Sequence, residues 1–159
     1  MDPWKRTRGW GIHGRRPQFE MVRDGIIALE RPGVGDLHEL GDDRDAVFTA
    51  LRRSYPHEPD GTIRTWTTVL LWFAFGPGVC DLVVHPDPLT RTVSVGRIAS
   101  GYRFEPGPRE RHVRDALWLL TGYPREALSE SARREISRRT AFFPLDGSAA
   151  ELAARSARR

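Results

Sequence analysis

The spacing of apolar residues follows a helical period in the first half of the chain and a strand-like period after residue 80. A helix is predicted to begin at Asp42 or Asp43, where an acidic turn precedes apolar residues at helical spacing. A second helix is predicted from about Ile63 to Phe75 and ends at the sequence GPG. Short strands at 9–13 and 25–30, with a helical turn between them, precede both helices.

After residue 80, four runs show the alternation that is typical of strands, and proline, glycine and aspartate turns separate them: DLVVHP, RTVSVGRIAS, GYRFEP and RHVRDALWLL. A strand, two helices and a series of strands predict an α+β fold with an antiparallel sheet or a small barrel. The sheet is expected to close around the apolar alternates Val83, Val93, Val95, Ile98 and Leu117.

The C-terminal part is predicted to hold one more helix, capped by Ser129. The run AFFPL then closes the ordered part of the chain. The last residues, 146–159, are rich in alanine and arginine and lack a bulky apolar face, so we interpret them as a tail or linker. Residues 1–145 are therefore expected to form one domain, and no internal repeat is present.

The composition changes this picture mainly through its charge. The formal net charge is +4, and the cationic residues are Lys5 and twenty-four arginines. Arginine binds phosphate with two parallel hydrogen bonds and stacks on bases, which suits a nucleic-acid partner, although a high-GC genome produces the same bias. The longest apolar run, 69–75, is shorter than the roughly 20 residues of a membrane span, and no secretory signal is recognisable. The single Cys80 forms no internal disulfide, so a cytoplasmic protein is expected.

The sequence contains no recognisable catalytic set. Its five histidines are not at metal-ligand spacing, and it has no phosphate-binding glycine loop, no Gly-x-Ser-x-Gly motif and no nuclease-type acidic motif. The acidic cluster at Asp36, Asp42, Asp43 and Asp45 lies where helix N-termini favour negative charge. We therefore expect a protein that is not an enzyme and needs no cofactor or metal.

The order and spacing of many short pieces resemble the N-terminal domain of Mrr-type restriction endonucleases. The likeness spans roughly residues 8–145, and it is carried by WGIH, GDL, GDDRDAVFTALRRSYP, RTWTTVLLWFAF, DLVVHP, RTVSVGRIASGYRFEP, HVRDALW and PREALSESARREI. The resemblance implies a PUA-like fold, akin to EVE and YTH modules, in which a small twisted β-barrel with flanking helices holds a pocket for one flipped, modified base. It also implies a partner nuclease domain, either C-terminal or separate.

The chain departs from that family pattern at two places. Glu30 and Arg31 stand where such domains tend to have Gly-Trp, and this removes an aromatic ring that could stack on a base. Cys80 and Asp81 stand where Gly-Asp is usual before LVV, and this alters a turn. The identity of the base is therefore less transferable than the fold.

Candidate base-pocket residues are aromatic or planar side chains near strand ends. On a strand, Trp10 has glycines on both sides, so its ring suits core packing or base stacking. Tyr102 follows a glycine at a strand junction, whereas the helical spacing around Trp66 favours a core position. The base-pocket set predicted from the sequence is Trp10, His13, Arg31, Trp66 and Tyr102.

Candidate phosphate contacts are cationic residues in a loop and on the later strands. Two of them follow the first strand directly, and the others flank Tyr102. Any one of them taken alone also fits an ordinary solvated sheet face. The predicted set is Arg15, Arg16, Arg97, Arg103, His112 and Arg114.

The sequence thus predicts a non-catalytic DNA-binding module of a restriction system that recognises a flipped, modified base. Two alternatives stay open. One is an RNA reader of the same PUA or YTH type, and the other is a regulatory module that binds a nucleotide-like small molecule. A membrane partner is not expected.

Overall fold

The structure is a computed structural model that describes residues 8–14 and 18–158. Among these residues, no helix combines the length and apolar character needed to cross a membrane. The strands are β1 (Gly9–Ile12), β2 (Ile26–Glu30), β3 (Leu82–Asp87), β4 (Thr92–Ile98), β5 (Arg103–Glu105), β6 (Arg111–Pro124) and β7 (Phe142–Leu145). The helices are α1 (Gln18–Asp24), α2 (Leu37–Leu40), α3 (Arg44–Ser54), α4 (Asp60–Phe75), α5 (Glu130–Glu135) and α6 (Ala149–Ser156).

The seven strands form one strongly curled sheet that resembles half of a barrel. Its order is β2-β6-β4-β3-β1-β7, and β5 pairs with β6 beside this path. The β1–β3 pair is parallel, and the other pairs are antiparallel. The long strand β6 pairs with β2 through its first five residues and with β4 through the rest, so it belongs to both halves of the curl. The α+β class and the curled sheet with flanking helices agree with the sequence prediction.

The sheet has a hydrophobic core on each face. Successive side chains of a strand point to opposite faces of the sheet. Val83 packs in the core that contains α3 and α4. Val93 and Val95 pack in the other core, which contains α5 and α6. The expectation of a single closed barrel interior is therefore wrong for these residues. It is also wrong for Leu117, whose side chain is 60% exposed.

The helix boundaries follow capping interactions that the sequence makes visible. Asp43 caps α3, and its carboxylate accepts hydrogen bonds from the backbone N–H groups of Asp45 and Ala46 at 3.0 and 3.1 Å. Ser129 caps α5 in the same way and accepts from Ala132 N–H at 3.2 Å. The predicted helix and strand spans are confirmed to within a few residues. They are predictable because local hydrogen bonds and local periodicity determine them.

The C-terminal segment is more ordered than predicted. Residues of the expected tail form α6, in which Ala149 and Leu152 are buried against the sheet. A Cβ atom added to Gly9 would lie 3.0 Å from Ala149 Cβ, so two small residues allow this close approach. Glu151 also accepts hydrogen bonds from the backbone and hydroxyl of Ser129 at 2.8 and 2.6 Å. The prediction that order ends at AFFPL is wrong, because alanine and glycine pack closely without a bulky apolar stripe.

The turn before β3 holds a strained residue. Cys80 is exposed and has a backbone φ of 76°, a left-handed conformation that costs a non-glycine residue about 1–2 kcal/mol. Its backbone is fixed there because its N–H donates to Ile98 O at 2.8 Å. The turn therefore suits glycine better than cysteine.

We expect Cys80→Gly to raise the free energy of unfolding by about 1 kcal/mol, since relief of strain exceeds the flexibility that glycine adds to the unfolded chain. Urea unfolding measures this change. Cys80→Ala is the matched control, because it removes the thiol and keeps the strained backbone. If the glycine and alanine variants unfold at the same urea concentration, the backbone at residue 80 is not strained.

Candidate functional site

A cavity of about 1020 Å³ lies where the curled sheet does not close. One side is formed by the end of β1, at His13 and Gly14, together with the segment 138–141 that precedes β7. The rest of the lining comes from α1, β2 and α4, together with Arg31, Pro32, Tyr55, Arg109 and Arg111. Because β2 and β7 are the two ends of the strand order, the cavity occupies the gap between the edges of the half-barrel.

The aromatic wall of the cavity consists of Trp66 on α4 and Tyr55 at the end of α3. Their ring centroids are 5.1 Å apart with an interplanar angle of 73°, so the rings form a corner. The guanidinium of Arg31 lies 3.8 Å from the centroid of the Trp66 ring and 5.9 Å from that of Tyr55. A planar cation thus already stacks on this corner, which shows that the Trp66 face accepts a flat, electron-poor group.

The loop that carries Arg31 is held from three directions. Tyr55 hydroxyl donates to Pro32 O at 2.6 Å, and Ser54 hydroxyl donates to Gly33 O at 2.6 Å. Gly33 N–H donates to a carboxylate oxygen of Glu110 at 2.8 Å. Gly33 has a φ of 93°, and a Cβ atom there would lie 2.5 Å from Ser54 Oγ, so only glycine fits. The backbone of the loop is therefore held in place where it carries Arg31 into the lining of the cavity.

The charged lining is mainly cationic. Arg109 lies 4.0 Å from Glu30, and Arg111 forms an ion pair with Glu105 at 2.6 Å. The guanidinium of Arg138 lies 5.4 Å from the centroid of the Phe143 ring. Five arginines and three carboxylates contribute to the cavity surface: Arg31, Arg109, Arg111, Arg138, Arg139, Glu20, Asp24 and Glu30. The cavity can therefore attract an anion and also accept hydrogen bonds from a neutral donor.

His13 lies at the end of β1, where its backbone N–H donates to Ala141 O at 2.8 Å. Burial lowers the pKa of its imidazole, and the charge of Arg125 acts in the same direction. The ring is therefore neutral at pH 7. Its Nε2 is buried without a hydrogen-bond partner among the described residues. A polar ring atom of this kind beside a cavity suits a ligand or water.

The structure brings together three of the five residues that the sequence assigns to a base pocket. His13, Arg31 and Trp66 all line the cavity. Arg15 and Arg16, predicted to contact phosphate, lie outside the described residues. They follow Gly14 in the sequence, and Gly14 is part of the lining.

Trp10 is a core residue, so its assignment to a pocket wall is wrong. The side chain is 5% exposed, and its ring stacks on Phe142 with centroids 5.1 Å apart. Its indole N–H donates to a carboxylate oxygen of Asp81 at 3.0 Å. The space above Gly11 is likewise filled, because a Cβ atom there would lie 2.2 Å from the Phe143 ring. Gly11 of β1 therefore admits an aromatic ring from β7.

Tyr102 is also buried rather than part of the pocket. It is 7% exposed, and its hydroxyl accepts from Leu37 N–H at 3.1 Å and lies 2.8 Å from His112 Nδ1. Burial raises the pKa of Tyr102 to about 12. The ring holds the start of α2 against the sheet, so the prediction that it stacks on a base is wrong.

Two predicted phosphate contacts are buried and cannot reach solvent. His112 is completely buried, and Arg114 is 3% exposed and donates to the carbonyl oxygens of Phe73 and Ala74 at 2.9 and 2.7 Å. Both face the core from β6, where sequence alternation alone does not show that the second face is covered. Arg97 and Arg103 are half-buried, outside the cavity lining, and bonded to Cys80 O at 3.2 Å and Asp115 at 2.8 Å.

Several residues of the cavity are absent from the sequence prediction. The sequence places a double arginine in SRRT directly before AFFPL, and it places Tyr55 in a proline turn after a helix. Both signals are present but weak. The residues that were missed are Tyr55, Arg109, Arg111, Arg138 and Arg139.

The cavity combines a stacking corner, guanidinium groups and carboxylates, which together suit a planar ligand with an attached anion. In the part of the chain that the structure describes, no three acidic, histidine or cysteine side chains are grouped to hold a metal ion. Comparisons with protein-family models, with curated proteins and with solved structures found no match for the chain. The function of the chain is therefore inferred from the geometry of this cavity.

The buried imidazole of His112 makes stability depend on pH. Burial lowers its pKa to about 4, compared with 6.5 for an exposed histidine. Between these values the unfolded chain binds a proton that the folded chain rejects. We therefore expect the free energy of unfolding to fall by about 3 kcal/mol as the pH drops from 6.5 to 4, with no loss from this group above 6.5.

Urea unfolding at several pH values measures this effect. His112→Gln is the comparison variant, because glutamine keeps a polar side chain and does not titrate. Carboxylates titrate equally in both proteins. The difference between the two slopes of unfolding free energy against pH therefore reports on His112. Identical slopes for the two proteins between pH 6.5 and 4 would contradict the prediction.

Proposed function

We propose that the chain is a non-catalytic recognition module that binds DNA and receives one flipped base in the cavity. The observation that carries the proposal is the stacking corner of Trp66 and Tyr55 inside an arginine-lined cavity in the gap of the half-barrel. Aromatic rings stack on any base, and arginines bind the phosphates beside it. Phosphate contacts supply affinity, and contacts with the base edge supply selectivity.

The size and chemistry of the cavity support a nucleotide as the ligand. Its volume, about 1020 Å³, slightly exceeds the range of about 300–1,000 Å³ for small-molecule sites, so a base and its sugar would fit. Carboxylates such as Glu30 and Asp24 can accept from the exocyclic amino groups of cytosine or adenine. Arg138 and Arg139 lie in the exposed segment before β7, where the phosphates of an entering strand would pass.

The proposed fold is PUA-like. The support for it is the curled sheet with flanking helices, together with the resemblance to the N-terminal domain of Mrr-type restriction endonucleases over residues 8–145. In that setting a nuclease domain, linked or separate, would cut the DNA that this module finds. An RNA reader would use the same stacking corner, so parallel titrations with DNA and RNA of one sequence distinguish the two functions.

Loss of the stacking face should weaken selective binding. Trp66→Ala is expected to cost about 1 kcal/mol of binding free energy, because the base loses stacking worth about 1–3 kcal/mol while the variant no longer has an Arg31 contact, worth about 0.5–2 kcal/mol, to give up. Fluorescence anisotropy with labelled duplexes, carrying modified and unmodified bases, measures this loss. Trp66→Phe keeps an aromatic face for both Arg31 and the base, so it should bind like the wild type. A folded Trp66→Ala protein with unchanged affinity would remove Trp66 from the proposed site.

Loss of the cavity arginines should weaken binding to all sequences alike. For the double variant of Arg138 and Arg139 to alanine, we expect the slope of log K against log salt to become shallower by about 2, since each phosphate contact contributes about 0.9. The double variant of Arg133 and Arg134, on α5 and outside the cavity lining, carries the same charge change as a control. Equal slopes for the two double variants would show that only net charge matters.

A further inference from the structure

The turn between β3 and β4 presents an apolar side chain to solvent. Leu89 is 87% exposed, and Pro88, Thr90 and Arg91 beside it are exposed as well. Among the exposed large apolar residues of the described chain, Val79 and Leu117 are each 60% exposed, so Leu89 is the most exposed. A single exposed leucine needs no explanation by itself. The hydrogen bonds that hold the turn, and the position of the turn relative to the cavity, provide an explanation for the exposure of Leu89.

The turn is held in place by its own side chains. The carboxylate of Asp87 accepts from Leu89 N–H at 2.9 Å and from Thr90 hydroxyl at 2.8 Å. Thr90 hydroxyl in turn lies 2.8 Å from Thr92 hydroxyl at the start of β4. These bonds fix the backbone at Leu89, whose side chain is exposed. The turn therefore presents Leu89 as a preorganised apolar projection.

The same turn lies at the cavity end of the sheet. Strands β1 and β3 are parallel, with Gly11 beside Val84, and His85 Nδ1 lies 2.9 Å from Ile12 O. Strand β3 therefore runs past the end of β1, where His13 lines the cavity, before it turns at Leu89. The exposed turn and the cavity thus share one end of the molecule.

A chain of contacts connects the turn to the cavity. Arg125 N–H donates to Arg91 O at 3.0 Å, and the guanidinium of Arg125 donates to Ser137 hydroxyl. Ser137 immediately precedes Arg138, which lines the cavity. The turn that carries Leu89 and the segment that carries Arg138 are thus joined through the side chain of Arg125.

We propose that Leu89 inserts into the DNA duplex at the position that the flipped base leaves when it enters the cavity. This inference rests on the proposed function. Removal of a base from the stack exposes the apolar faces of its neighbours, and proteins that unstack DNA commonly insert an apolar side chain between them. Leu89 supplies such a side chain, and the arginines on the same end of the molecule supply contacts to the adjacent phosphates.

The experiment compares Leu89→Ala with the wild type on two forms of one target sequence. On a fully paired duplex, the variant should bind about ten-fold more weakly or worse, because the gap in the stack stays unfilled. On the single strand there is no gap, so both proteins should bind equally. Leu117→Ala, which shortens an exposed leucine outside the cavity lining, should match the wild type on both forms.

A fluorescent base analogue, 2-aminopurine, at the target position gives a second readout. The wild type should raise its fluorescence in the duplex, and Leu89→Phe, a larger wedge, should preserve this rise while Leu89→Ala reduces it. Equal duplex binding by Leu89→Ala and the wild type would overturn the inference. Equal losses on duplex and single strand would overturn it too, since Leu89 would then act on the strand and not on the gap. A wild type that binds no DNA would refute the proposed function together with this inference.

Discussion

The position of α4 depends on the hydrogen bonds that the buried guanidinium of Arg114 donates. It donates to the carbonyl oxygens of Phe73 and Ala74 at 2.9 and 2.7 Å, and to Ser100 O at 3.3 Å. The last carbonyls of a helix have no partner within the helix and carry its negative dipole end, so a cation there satisfies both needs. Burial lowers the pKa of Arg114, yet arginine stays charged at any physiological pH. A buried charge without these three carbonyls would be strongly unfavourable.

This contact joins the end of α4 to β6, the strand that both halves of the curled sheet share. Since α4 is fixed at its last turn, Trp66, about two turns earlier, is held against the gap between β2 and β7. The parallel β1–β3 pair adds a second constraint, because a parallel connection must cross the sheet and carries the helices to one face. The cavity therefore forms where the sheet cannot close around α4. Its position follows from topology, and its chemistry follows from a few side chains.

The sequence shows the elements of this fold better than their contacts. Capping by Asp43 and Ser129 and the alternation after residue 80 are local, so they could be predicted. The residues that pack against each face of a strand or helix lie far away in the sequence. Trp10 lies between two glycines, which by sequence suits either core packing or a ligand, but the rings of β7, more than 130 residues later, occupy both sides of that strand. In contrast, the helical spacing of Trp66 indicates a core residue, and the unclosed edge of the sheet leaves its ring in a cavity.

The contact between Arg31 and Trp66 sets the energetics of the proposed site. With 3.8 Å between guanidinium and ring centroid, no base fits between them, so a stacking base must replace Arg31 on that face. A cation–π contact of this kind contributes about 0.5–2 kcal/mol, and base stacking contributes about 1–3 kcal/mol, so the exchange is nearly balanced. Stacking alone then gives little net affinity. In the proposed function, the displaced guanidinium would pair with the phosphate that arrives with the base, and this charge-assisted bond would favour entry. Arg31 would thus link base entry to phosphate binding.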